Sequence, residues 1–139
     1  MLPSVIFLVI AIVAVGILAL IAMTLTGKHS YTFDVEEYQT RWLKIENGLQ
    51  KDDPRTYNMS VINADKLLDR ALNEMGTPGK TMADRLKRVT NRFEKPNAVW
   101  SAHKLRNQIA HEDDFEVDFN QANRALAAIR QALKDLGAI

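Results

Sequence analysis

The chain has 139 residues, with 18 Lys plus Arg, 17 Asp plus Glu, 3 His and no Cys, for a formal net charge of +1. The missing thiols exclude a disulfide scaffold, a cysteine-ligated zinc site and thiol catalysis, and the length beyond the apolar N-terminus supports one core, which excludes a two-domain enzyme. The near-neutral total is a sum over unlike stretches: residues 1–27 carry no ionisable side chain, residues 28–79 net −2, residues 80–106 net +6 and residues 107–139 net −3.

Pro3 to Thr26 is a run of apolar and small residues with no polar stripe. As a helix at about 1.5 Å per residue it reaches roughly 36 Å, enough to cross a hydrocarbon core of about 30 Å with some tilt. A signal peptide would show a charged n-region and a shorter apolar stretch, and no Lys or Arg precedes Lys28. A soluble core helix would show a polar face. The pattern predicts a single-pass membrane anchor over residues 1–27. Lys28, Arg41 and Lys44 follow it, so the positive-inside rule places the following domain in the cytoplasm of a cell-membrane protein. A polar linker, residues 28–33, leads to a domain over residues 34–139. His29 is expected at the membrane interface.

Asp34 with Glu37 fits a capping box, and Tyr38, Trp42, Ile45 and Leu49 recur at helical spacing up to the Asp52-Asp53-Pro54 break. Asp53 as cap with Pro54 in the first turn opens a second helix, whose apolar face is Tyr57, Val61, Ala64, Leu68, Ala71, Leu72 and Met75. Gly76 ends it. Thr81 with Asp84 begins a third helix through Met82, Leu86, Val89 and Phe93, stopped before Pro96. Asn97 caps a fourth, Ala98 to about Ala110. After the acidic loop Glu112 to Asp118, Asp118 with Gln121 opens a fifth, carrying Phe119, Ala122, Leu126, Ile129, Leu133 and Leu136 to a stop at Gly137. No alternating strand pattern competes outside the apolar leader. The expected fold class is all-α, a transmembrane helix followed by a four- to five-helix bundle with up-and-down neighbours.

The densest polar cluster runs from Trp100 to Glu112. At about 100° per residue, Ala98, Ala102, Leu105 and Ile109 fall on one side, expected to pack. His103, Arg106, Asn107 and His111 fall on the other, expected to be presented. Arg106 and His111 still differ by about 140° on an ideal helix. Joint action at one phosphate therefore requires the helix to loosen near His111 or a second subunit to help. Residues 80–106 form a basic approach suited to an anionic partner such as RNA phosphate; the plain alternative is a solvated helix opposite a counter-charged loop.

The segment Arg106-Asn107-Gln108-Ile109-Ala110-His111 resembles the R-x4-6-H motif of HEPN domains, with a polar residue directly after the Arg. The resemblance extends to a motif on a late helix of a small all-α domain, followed by one terminal helix. It implies a metal-independent endoribonuclease, or an RNA-binding relative, working as a homodimer. It also implies roles. His111 would act as general acid/base in attack of a ribose 2′-OH on the adjacent phosphate, a task suited to imidazole, whose unperturbed pKa is about 6.5. Arg106 would stabilise charge on the phosphoryl oxygens, and Asn107 would orient the phosphate or His111. Lys104, Arg88 and Arg92 would meet RNA. Where HEPN partners of minimal nucleotidyltransferases often carry Tyr after the motif His, Glu112 stands here, which weakens any role regulated at that Tyr.

Each residue also has a plainer use. Arg106 would pair with an acidic residue of the Glu112 to Asp118 loop, and Asn107 would bridge backbone at a helix end. His103 and Lys104 match no catalytic position and read as surface or interface residues. His103 and His111 lie about 12 Å apart along a helix, too far to share one metal, so neither metal nor cofactor is expected. Trp42 and Trp100 read as core or dimer anchors. The rival to an RNA enzyme is a non-catalytic dimerisation or scaffold module at the membrane surface.

Overall fold

The computed structural model describes residues 1–26 and 31–139. Among them are six α-helices and no strand: α1 (Leu2–Thr26), α2 (Val35–Gly48), α3 (Arg55–Glu74), α4 (Met82–Val89), α5 (Pro96–His111) and α6 (Phe119–Leu136), with a 3₁₀ turn at Thr90–Arg92. The all-α class read from the sequence is the observed one. Residues 28–30 of the expected linker, with Lys28 and His29, lie outside the described residues.

The chain divides into two compact units, Met1–Tyr31 and Thr32–Ile139. In the first, Leu2–Met23 has a mean hydropathy of 3.3 and buries none of its side chains. It is long and apolar enough to cross a bilayer.

In the second unit the helix starts follow from local chemistry. Thr81 and Asp84 form a reciprocal capping box on α4, and Asp118 and Gln121 form another on α6. On α2, Asp34 Oδ1 accepts from the Glu37 backbone N–H at 3.0 Å, while a Glu37 carboxylate oxygen takes Arg41 and Arg70, each at 2.9 Å. Pro54, one residue later than expected, caps α3, and Asp53 accepts from the Arg55 N–H. At the far end of α6, Gly137 adopts φ 82°, and Ala138 N–H reaches back to the Leu133 carbonyl. Such a left-handed stop favours glycine because a Cβ would crowd the backbone there.

Three further boundaries differ from the sequence reading. Helix α4 ends at Val89, and the 3₁₀ turn carries Phe93 into the core, with the Thr90 hydroxyl donating to the Leu86 carbonyl at 2.8 Å. Pro96 starts α5 instead of preceding it, because proline at the first helical position gives up an N–H that has no partner there. Phe33, expected in the linker, is buried with its ring edge-on to Tyr38 at 5.3 Å.

Helix α3 is the centre of the bundle, packed against α2, α4, α5 and α6, while α5 and α6 also pack on each other. Tyr38, Val61, Leu68, Leu72, Leu86 and Ile129 are fully enclosed. Burying a side chain such as Leu68 contributes about 1.5–3 kcal/mol. This arrangement places α3 directly behind α5, the helix that carries the Arg and His of the motif.

Candidate functional site

Val99, Ala102 and His103 are the buried residues of α5. With Val99 as origin and about 100° per residue, Ala102, His103 and Arg106 fall within a sector about 100° wide. The packed face is thus rotated from the expected one. Leu105 and Ile109 are only partly buried, and His103 points inward. The expectation of a surface His103 is overturned, and the cause lies on α3. Asp65, 3% exposed, offers a carboxylate to the interior, so a polar ring can be enclosed there without an orphaned nitrogen.

The contacts close into a ring of four side chains. His103 Nδ1 is 3.0 Å from Asp65 Oδ1. His103 Nε2 is 3.4 Å from Asn107 Nδ2, and Arg106 Nη1 donates to Asn107 Oδ1 at 3.1 Å. Arg106 Nε lies 3.4 Å from Asp65 Oδ2, an ion-pair separation without hydrogen-bond geometry. At the imidazole, donors and acceptors match when the proton is on Nδ1: that N–H faces the carboxylate, and the bare Nε2 accepts from the amide. Trp100 sets its ring edge-on to the imidazole at 6.3 Å. Arg106 therefore pairs with Asp65 and not with the Glu112 to Asp118 loop, and Asn107 bridges Arg106 and His103 instead of reaching His111.

His111 is the last residue of α5 and is exposed, followed by Glu112 in extended conformation. The helix does not loosen before His111. Arg106 and His111 of one chain therefore stay about 140° apart around the axis and about 7.5 Å apart along it. The Arg106 side chain keeps 30% of its surface exposed.

Lys104, Arg88 and Arg92 are exposed. Lys104 lines a shallow groove of about 510 Å³ between α5 and α6, with Gln108, Gln121 and Arg124. Trp42 is a core residue, 3% exposed, and Trp100 is half-buried. Among the described residues no group of three or more His, Asp or Glu is arranged to hold a metal ion.

Asp65 is the residue that the sequence reading missed. Its signal was present: it sits four residues after Val61 and three before Leu68, on the apolar stripe of α3. A carboxylate on such a stripe is rarely buried without a partner.

No protein-family model, curated protein or solved structure matches the chain.

Proposed function

We propose that the chain is a membrane-anchored, HEPN-like domain that acts on RNA as a homodimer, without a metal or cofactor. The carrying observation is that one helix, α5, bears both a braced Arg106 and an exposed His111. Asn107 accepts a hydrogen bond from the guanidinium and Asp65 places a counter-charge beside it, which biases its orientation before any ligand arrives. In this reading His111 removes the proton from a ribose 2′-OH. The oxygen attacks phosphorus, the 5′-oxygen leaves with a proton from His111 of either copy, and the Arg106 guanidinium stabilises the charge on the non-bridging oxygens. Lys104, Arg88 and Arg92 supply sequence-independent attraction to the phosphate backbone.

The continuous helix through His111 favours the dimer, because two motif residues that diverge on one chain can converge across a two-fold axis. Helix α1 would anchor the dimer in the cell membrane. The excess of Lys and Arg after α1 favours a cytoplasmic domain.

A second reading has its own observation. The Asp65 carboxylate already neutralises Arg106, which suits a non-catalytic dimerisation or scaffold module at the membrane surface whose motif residues brace α5 against α3. One experiment separates the two: full-length protein in detergent, incubated with mixed RNA in EDTA. The nuclease reading expects cleavage that disappears in His111→Ala, which touches nothing in the core, and in Arg106→Ala. Absence of cleavage by a folded dimer overturns it and leaves the scaffold.

A further inference from the structure

Apart from the α5 motif, the bundle carries a basic groove that the net charge of −2 over residues 28–79 conceals. Arg41 and Lys44 of α2 and Arg55, Lys66 and Arg70 of α3 line one open cleft of about 690 Å³, with no acidic side chain in its wall. The arginines are already engaged: Arg41 and Arg70 share Glu37, Arg70 also holds Glu74, and Arg55 holds Asp53. Lys44 and Lys66 are exposed and make no ion pair among the described residues. Ile45, Met59 and Leu67 supply the apolar part of the wall, beside Gly48 and the uncharged polar Thr56, Ser60 and Asn63. Ile45 and Leu67 form the deeper part, and Met59 stands 57% exposed at the rim.

A pair of unneutralised ammonium groups beside an apolar surface suits a ligand that is anionic at one end and greasy at the other. No aromatic side chain lines the cleft, so it lacks the stacking platforms that single-stranded nucleic acid uses. Eight residues, 27–34, join α1 to α2, a tether of at most about 30 Å when fully extended. The attraction of basic side chains to an anionic leaflet acts within a Debye length of about 8–10 Å.

We infer that this groove docks an anionic phospholipid of the bilayer that holds α1, with the phosphate met by Lys44 and Lys66 and the glycerol and first acyl carbons lying against Ile45, Leu67 and Met59. This second site is independent of the α5 motif. It rests on the insertion of α1, which co-flotation of the protein with vesicles checks separately.

The chain has no cysteine, so Met59→Cys gives one labelling position for an environment-sensitive fluorophore. The labelled full chain is reconstituted into phosphatidylcholine vesicles with or without phosphatidylglycerol. The expected result is a blue-shifted emission that appears only with phosphatidylglycerol, disappears in Lys44→Glu/Lys66→Glu, survives in Lys44→Arg/Lys66→Arg, and is absent for the same label at Asn123→Cys on α6. An equal emission in pure phosphatidylcholine, no response to phosphatidylglycerol, or a shift unaffected by the double Glu variant overturns the inference. A shift produced instead by soluble RNA or by inorganic phosphate overturns it as well and reassigns the groove to that ligand.

Discussion

His103 Nδ1 and Asp65 Oδ1 lie 3.0 Å apart inside the core, joining α5 to α3 across 38 positions of sequence. A carboxylate enclosed this deeply is stable only with its oxygens occupied, and its second oxygen faces the Arg106 guanidinium. Asp65 thereby holds the His103 ring through Nδ1 and places a counter-charge beside Arg106. The motif on α5 is held by a residue on another helix.

Replacing Asp65 by Asn keeps the volume and removes the charge, leaving Arg106 beside a neutral amide. The expected cost is about 2–3 kcal/mol, read as a lower urea midpoint from the fluorescence of Trp42 and Trp100 in the full chain. Arg106→Ala should cost a comparable amount, because it leaves the buried Asp65 carboxylate with His103 but without its counter-charge. An unchanged midpoint for Asp65→Asn would show that the ring contributes nothing to stability.

What the sequence made legible was local. The capping pairs Thr81 with Asp84 and Asp118 with Gln121, the stop at Gly137 and the apolar stripes of α3 and α6 depend on residues a few positions apart, and each appears where its spacing placed it. The role of Pro96 is ambiguous in the sequence because a proline can follow the end of one helix or occupy the first position of the next, and here it does the latter. The rotation of α5 was not legible, since it depends on a carboxylate 38 positions away. The α2–α3 groove was hidden by averaging: its five basic residues are interleaved with acids that face elsewhere or are paired off.

Gly79 should resist substitution where Gly48 does not. A Cβ at Gly79 would lie 2.8 Å from the Asp84 Cβ and 3.0 Å from the Arg85 backbone nitrogen, at φ +155°. Its carbonyl also accepts from Arg85 Nη1 at 2.9 Å, so the loop has little room to shift. Gly79→Ala is expected to destabilise by about 1–3 kcal/mol. Gly48, the last residue of α2, has open space around it, and Gly48→Ala should be neutral or stabilising by up to about 1 kcal/mol. Thermal unfolding of the two variants side by side checks the contrast.

Acid should weaken the start of α4. The Thr81 backbone N–H, together with its hydroxyl, holds the Asp84 carboxyl below the ordinary aspartate range. A depressed folded pKa means that the carboxylate's contribution is complete above the unfolded value of about 3.9 and is lost as pH falls through the lower folded value. The stability gap between the native chain and Asp84→Asn should therefore be constant from neutrality down to about pH 4 and narrow below it. A gap that instead closes between pH 5 and 7 would assign the effect to another group.

The N-terminal helix gives the topology a direct test. The native chain should remain with membranes after alkaline carbonate and leave only with detergent. Ile12→Arg/Val13→Asp places charges near the middle of the apolar window, at about 2.5–3.5 kcal/mol each for insertion, and should shift the protein to the soluble fraction. With a single thiol introduced at Asn123, which is exposed on α6, a membrane-impermeant maleimide should label only lysed cells if the domain is cytoplasmic. Labelling of intact spheroplasts would put the domain outside, away from cellular RNA, and would end the nuclease reading together with the orientation.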